Sequence, residues 1–369
     1  MSDGPRVLVV ARPGTGGAGR VLDALLRTLP ARGVRGVAAL SGTESTQLLE
    51  TAQEHGWETI RLDLRREISP VHDARAALRL RRIARGCDLV HAHAAKAGAL
   101  ARLALPLRKG VPVVYAPHGF FFTYHAEGSA AWRRYLALEQ RLAPRTTLLH
   151  CVSAAERDVA VEHGLATEEG CHVLTNPLPP ERPGDAARLP AQDGARPLVV
   201  MAARLAEPKD PETFVRAAAA VSARTGARFA LVGDGPLADA TRRAAGDAPV
   251  TFLPPDTPVR ALLRRAAVAV LATRSEAFPL FVVEALAEGV PAVLSDLPGC
   301  REAGGDAALY VPPGSPQALA DALVRLLGDA ALHARLAGAA RARGPQFDEA
   351  RWADGVVAMY GRVLHPPRR

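Results

Sequence analysis

Between Val268 and Val293 the chain spells out one unit of structure and leaves little freedom over it. Val268–Leu271 is an apolar run of strand length, Thr273–Ser275 interrupts it, and Leu280, Val283, Leu286 and Ala287 then recur at helical spacing. Pro279 stands where the first turn of a helix tolerates a residue without an N–H, and Gly289 followed by Pro291 marks the stop before the next apolar run. A helix that begins at the carboxyl end of a strand offers free N–H groups and the positive end of its dipole to anions. Glu276 and Glu284 bracket this turn. Two acids beside an anion site are at odds with charge alone. They fit as acceptors for hydroxyl groups, as a sugar supplies, or as ordinary solvated acids.

The start of the chain follows the same grammar. Arg6–Ala11 is a buried strand, residues 13–19 are a glycine-rich turn, Val21, Leu22, Leu25, Leu26 and Leu29 keep helical spacing, and Val34–Leu40 is the next strand. Gly14, Gly16 and Gly19 satisfy the dinucleotide-binding spacing. That reading needs an acid at the end of the second strand to hold a ribose, and the strand ends Ala39-Leu40-Ser41-Gly42. Further strands are expected over Cys87–Ala94, Val111–Ala116, Thr147–Val152 and from Val173. His91 and His93 share one strand face; a metal pair is conceivable, but no third ligand is evident and a packed pair is the plainer reading. His118-Gly119, in the exit turn of a strand, is placed to face a ligand. Phe120–Tyr124 is an aromatic run in a chain with 5% aromatics, either a core plug or an apolar surface. Ala130–Ala143 is amphipathic: Trp132, Tyr135, Leu136, Leu138 and Leu142 supply the apolar positions, and Arg133, Arg134 and Arg141 the charge. An interfacial helix and a helix packed on its sheet share that pattern.

Pro179–Pro197, rich in Pro, Gly and Ala, reads as a linker. Leu198–Ala203 opens a second strand series. Arg204 and Lys209 follow on one loop, where a guanidinium fork and an ammonium point charge can clamp a diphosphate. Phe229–Val232 leads into Gly233-Asp234-Gly235-Pro236, and Val250–Leu253 ends at Pro254. Helices are expected over Pro316–Leu327, Ala331–Arg343 and Trp352–Leu364.

Taken together, Glu276 with Glu284 resembles the E-x7-E signature of the retaining glycosyltransferases of family 4, and Arg204-Leu205 with Lys209 resembles the R-L-x-x-x-K signature of the same family. Gly233–Pro236, His118-Gly119, the glycine turn after the first strand and the H-x-H-x-x-K-x-G run from His91 match it in order, so the resemblance covers nearly the whole chain. It implies an α/β chain of the GT-B class, two Rossmann-like domains with parallel sheets facing across a cleft. The boundaries expected are 1–178 for the acceptor-side domain, 179–196 for the linker, 197–345 for the nucleotide-sugar domain and 346–369 for a helix crossing back to the first domain. It implies transfer of a sugar from a nucleotide diphosphate, a UDP-sugar favoured, with retention of configuration. Arg204 and Lys209 would neutralise the diphosphate. Gly16, Gly17, Gly233, Leu253, Phe278, Pro279 and Leu280 would line the donor, Glu284 would hold the ribose, and Glu276 and His118 would orient the sugar. Ala277 and Pro254 depart from the family, which has glycine more often at both.

Composition agrees with two domains and narrows the alternatives. The chain has 369 residues, of which 48% are hydrophobic, with no apolar run of membrane-spanning length and no signal peptide, so a cytoplasmic protein is expected. Cys87, Cys151, Cys171 and Cys300 lie far apart, as reduced structural thiols do. The net charge is +8, but Lys96, Lys109 and Lys209 are the three lysines among 46 basic residues. That skew points to GC-rich coding, as in a bacterial source, more than to nucleic acid, for which no zinc-finger or RNP pattern is present. No D-x-D motif appears, so neither metal nor other cofactor is expected. The acceptor is a hydroxyl compound, lipid-linked at the inner membrane face or a soluble natural product or peptide. A nicotinamide-dependent oxidoreductase and a non-catalytic scaffold stay open.

Overall fold

All strand pairs among the described residues are parallel, so each strand returns through a crossover, and helices supply it. The computed structural model describes residues 4–12, 16–42, 45–65, 67–105, 110–181 and 196–366. The chain forms two compact units, Met1–Pro177 with Glu349–Arg369, and Leu178–Asp348. Gly14 and most of the expected linker lie outside the described residues.

The first unit alternates β1 (Arg6–Ala11), α1 (Gly17–Thr28), β2 (Arg35–Ser41), α2 (Thr46–Glu54), β3 (Glu58–Leu62), α3 (Pro70–Ala84), β4 (Leu89–His93), α4 (Ala95–Ala104), β5 (Val113–Ala116), α5 (Ala130–Leu142), β6 (Leu148–Cys151), α6 (Ala154–Glu162) and β7 (Cys171–Val173). Its seven strands run in the order β3-β2-β1-β4-β5-β6-β7. The order reverses between β1 and β4, so right-handed crossovers put α1 and α2 on one face and α3 to α6 on the other. β1 is apolar and buried from Val7 to Ala11 because helices cover both faces of the sheet.

The second unit runs β8 (Leu198–Ala202), α7 (Pro211–Thr225), β9 (Arg228–Val232), α8 (Ala238–Ala245), β10 (Val250–Leu253), α9 (Val259–Leu263), β11 (Val268–Leu271), α10 (Leu280–Ala287), β12 (Ala292–Ser295), α11 (Pro298–Gly304), β13 (Ala308–Val311), α12 (Pro316–Gly328) and α13 (Ala330–Arg343). Its six strands are ordered β10-β9-β8-β11-β12-β13, reversing between β8 and β11. α10 is buried over Leu280–Leu286, which is why its sequence is apolar all round except for Glu284.

The last helix, α14 (Glu349–Leu364), belongs to the first unit. Arg27 and Arg32, around the end of α1, pair with its Glu349 and Asp354, and Arg362 donates to the carbonyl of Cys171 at 3.2 Å. All four cysteines are buried and free.

The aromatic run and the helix after it depart from expectation. Phe120 and Phe122 are core residues, whereas Phe121 and Tyr124 are exposed, so the run is plug and surface by turns. In α5, Leu138 is exposed and Glu139 is buried. The buried stripe is Leu136, Glu139 and Leu142, at steps of three, with Trp132 half-buried one turn before it, and Leu138 falls off it. Glu139 can sit there because Arg102 of α4 donates to it at 2.8 Å and the Tyr115 hydroxyl of β5 at 3.3 Å. The Arg102 guanidinium also lies 4.0 Å from the Tyr115 ring centre. A buried charge paired and hydrogen-bonded in this way is tolerated; unpaired it would not be.

Candidate active site

In an open parallel sheet the carboxyl ends of the strands gape where the strand order reverses, and ligands settle there. In the second unit that point lies between β8 and β11. The loop after β8 carries Arg204 and Lys209, and the loop after β11 carries Glu276, Phe278 and Pro279. The two loops are tied together: the Thr273 hydroxyl and the Arg274 N–H both donate to the Pro208 carbonyl, at 2.6 and 2.8 Å. Arg274 pairs with Asp210 at 2.8 Å, and Asp210 caps α7 from a left-handed backbone at φ 39°. Lys209 donates to Glu276, so the expected phosphate cation and the expected sugar-orienting acid hold one another. Arg204 is exposed and pairs with no acid among the described residues. Two cations and an acid on two tied loops thus share one side of the switch point.

The neighbouring glycines bring backbone close to backbone. Gly233 has φ +141°, and a Cβ there would stand 2.0 Å from the carbonyl oxygen of Ala203, so a side chain would push the Arg204 loop away. The Gly233 N–H donates to the carbonyl of Leu253 at the end of β10. Pro279 caps α10, and Leu280 begins it, so the first N–H groups of that helix have no partner within it. Glu284, one turn further on, is buried and engaged. Ala277 keeps an ordinary backbone, since the non-glycine residues with positive φ among those described are Ala94, His118 and Asp210. Alanine there therefore costs no strain.

The first unit builds a different kind of centre at its own switch point. Gly16 caps α1 beyond the end of β1, in an extended conformation, and Gly17 is the first helical residue. Ser41, where a dinucleotide site would want an acid, is buried, and its oxygen accepts from the Leu64 N–H at 2.7 Å. His118 leaves β5 with φ 54°, and the Gly119 N–H after it donates to Glu156 at 2.6 Å. His93 Nδ1 lies 3.0 Å from His118 Nε2. His91 lies tilted against His93 with ring centres 4.0 Å apart, and its other neighbours are Tyr360 of α14 at 2.9 Å and His150 of β6 at 3.3 Å. Burial lowers the pKa of all four imidazoles, His118 to about 4 and His150 to about 3. No group of three His, Cys, Asp or Glu among the described residues is arranged to hold a metal ion.

Sequence reasoning named Arg204, Lys209, Glu276, Glu284 and His118 and missed the ties that hold them: Thr273, Asp210 with Arg274, and His93. The H-x-H spacing was the available signal for His93; its partner lies a strand away. Residues 15–182 match the family described as Glycosyltransferase Family 4, and residues 196–329 match Glycosyl transferases group 1. A D-inositol 3-phosphate glycosyltransferase from Nocardia farcinica is 28% identical, over 96% of this chain and 87% of its own. One of the same name from Frankia alni is 30% identical, over 76% of this chain and 75% of its own. Among solved structures, Anabaena HepE in complex with UDP superposes with a TM-score of 0.78 at 21% identity, covering 96% of this chain and 99% of that one. Sucrose-phosphate synthase from Thermosynechococcus elongatus gives 0.77 at 19% identity, covering 99% of this chain and 100% of that one.

Proposed function

The chain belongs to the family 4, group 1 glycosyltransferases of the GT-B class, and from that premise we propose a metal-independent, retaining transfer from a UDP-sugar to a hydroxyl acceptor in cell-envelope glycan or glycolipid synthesis. The observation that carries the reading is the pairing of Lys209 with Glu276 beside Arg204 at the second unit's switch point. A diphosphate entering there supplies the negative charge that Arg204 lacks, and it can draw Lys209 from Glu276, freeing the carboxylate for a sugar hydroxyl. Glu284 takes the ribose, Gly233, Leu253 and the start of α10 frame the nucleotide, and His118 orients the sugar. In the reaction the bond from the anomeric carbon to the leaving phosphate breaks as the bond to the acceptor oxygen forms on the same face. The acceptor proton passes to the departing phosphate. Cations that neutralise that phosphate act on charge that develops in the transition state. The UDP and UDP-glucose complexes of the Anabaena neighbour support the choice of base. The test is a thermal-shift screen of nucleotide sugars, followed by transfer assays. A ligand that binds only the folded state raises the melting temperature; no shift with any UDP-sugar, GDP-sugar or ADP-sugar overturns the reading.

A lipid-linked acceptor has its own support. The large hydrophobic side chains exposed among the described residues are Ile68, Val71, Leu78, Leu103, Phe121, Tyr124, Leu138 and Val161. All eight lie on the α3–α6 face of the first unit or on its loops, and the second unit has none. Exposed Arg75, Arg81, Arg82 and Arg85 of the α3 region, with Arg134 and Arg141 of α5, pair with no acid among the described residues. Apolar side chains ringed by unpaired arginines suit an anionic bilayer surface, at about 1 kcal/mol per arginine. No described helix is long and apolar enough to cross a membrane. Sedimentation with vesicles decides it: binding to anionic vesicles that falls with salt and weakens in Arg81→Glu/Arg82→Glu supports peripheral contact. A protein that stays in solution with every vesicle points to a soluble acceptor.

A further inference from the structure

His91, His93 and His150 carry buried imidazoles that no role in donor binding uses, and their hydrogen bonds fix where each proton sits. His150 Nε2 lies 3.3 Å from the Leu174 carbonyl oxygen, which can only accept, so Nε2 carries the proton. The neutral ring then accepts at Nδ1, so His91 Nε2–H is the donor across their 3.3 Å contact. His91 Nδ1 accepts in turn, and the Tyr360 hydroxyl donates to it at 2.9 Å. The proton positions of that chain follow from one carbonyl.

The same reasoning applies to His93. Its Nε2 is buried without a hydrogen-bond partner among the described residues. Were His93 the acceptor at Nδ1, its proton would sit on Nε2 as a buried donor with nothing to receive it. An orphaned N–H is rarer and costlier than an unused lone pair. His93 Nδ1–H is therefore the donor and His118 Nε2 the acceptor across their 3.0 Å contact. The backbone around the pair is held against its preference: Ala94, next to His93, has φ 65°, and His118 itself 54°. Strained, non-glycine residues persist where the surrounding structure over-determines them, as it does at functional sites.

We propose that His93 is the positioning residue of His118: by donating from Nδ1 it holds the ring in one orientation and keeps the His118 proton on Nδ1, which becomes the donor offered to an oxygen of the transferred sugar. This rests on the role given to His118 above. It makes His118 a fixed hydrogen-bond donor at neutral pH rather than a base.

The experiment is nitrogen-15 NMR of the full chain labelled at histidine, without ligand, joined to transfer kinetics with UDP-glucose. His93 and His118 should both show the Nδ1–H tautomer at pH 7.5. In His93→Leu the His118 signals should become those of a mixed or Nε2–H ring. Turnover in that variant should fall about tenfold, with binding of UDP unchanged. His93→Asn, whose side-chain N–H can stand near the position of Nδ1, should recover most of the turnover. An Nε2–H tautomer at His118 in the wild type overturns the proposal, as does full turnover in His93→Leu. If His93→Leu fails to fold, the wild-type tautomers and His93→Asn decide. If the wild type transfers from no nucleotide sugar, the glycosyltransferase reading fails, while the tautomers still report on the pair itself.

Discussion

The two switch points solve opposite electrostatic problems. In the second unit the polar groups are charged and partly open: Lys209 on Glu276, Arg274 on Asp210, and Arg204 with no acidic partner among the described residues. In the first unit they are neutral imidazoles: His91, His93 and His150 are sealed among strands, and His118 is half-buried in the turn after β5. On the proposed function, charge that is traded with an incoming diphosphate belongs where water can screen it between turnovers. Hydrogen bonds that only have to aim a ring belong where nothing competes with them. One site is built to change partners and the other to keep them.

The largest expected effect breaks that comparison at its charged end. Arg204→Ala and Lys209→Ala should each slow transfer by about 100-fold, the scale of losing one preorganised contact to developing charge. They should differ in the resting protein. Arg204 has no acidic partner among the described residues, so its loss should leave the melting temperature unchanged; losing Lys209 strands Glu276 and should lower it. Near-normal rates in both would remove the clamp. Next come the two acids. Glu284→Gln should weaken UDP binding by about tenfold, the worth of one charge-assisted hydrogen bond. Glu276→Gln should spare UDP and damage transfer. Calorimetry with UDP and UDP-glucose reads both, and equal effects on UDP would sink the assignment.

At the neutral end the measurement is proton uptake on unfolding. The buried histidines have folded pKa values below the unfolded value near 6.5, His150 at about 3 and His118 at about 4. A lowered folded pKa means that the unfolded chain binds the extra protons. Stability is then complete above pH 6.5 and is lost progressively as pH falls toward 4 and 3. Each such histidine adds about 1.4 kcal/mol per pH unit to the slope. Denaturant midpoints in His150→Gln should show a slope shallower by roughly one proton; an unchanged slope would mean that the ring is not buried neutral. The smallest effect is none at all: on the proposed reading Arg204 and Lys209 neutralise the diphosphate, so transfer should survive EDTA. Loss on chelation, restored by magnesium, would contradict it.

How much of this the sequence disclosed depended on whether the signal was local. Most strands, the turn at Thr273 and the stop at Gly289 are written in consecutive residues and stand within a residue or two of where the pattern puts them, but β3 (Glu58–Leu62), with charged residues at two of its five positions, was not expected, and β7 ends at Val173, where the expected strand begins. Arg204, Lys209, Glu276 and His118 were readable because each sits in a short motif beside a strand end. Glu139 was not: a charge on an amphipathic helix looks like surface until Arg102 and Tyr115 are brought to it from two other elements. Lys209 and Glu276 were named separately, since 67 residues of chain hide that they touch. His91 and His93 were read as a packed pair, and both are buried; His150, buried too, was not singled out. The direction of their hydrogen bonds depends on the Leu174 carbonyl and the Tyr360 hydroxyl, which no spacing announces.

The return of α14 has a consequence for the order in which the molecule is made. Synthesis runs from the amino terminus, and domains fold as their residues emerge. The second unit is one continuous stretch, Leu178–Asp348, and can close as soon as that stretch is out. The first unit, though begun earlier, lacks Tyr360 and the acids that meet Arg27 and Arg32 until residues 349–364 arrive. Through that interval the imidazole of His91 waits without its hydroxyl and one side of α1 without its cover. The older half of the chain is thus the later of the two to be finished, and a chain truncated just past residue 348 would carry a complete second unit and an incomplete first one.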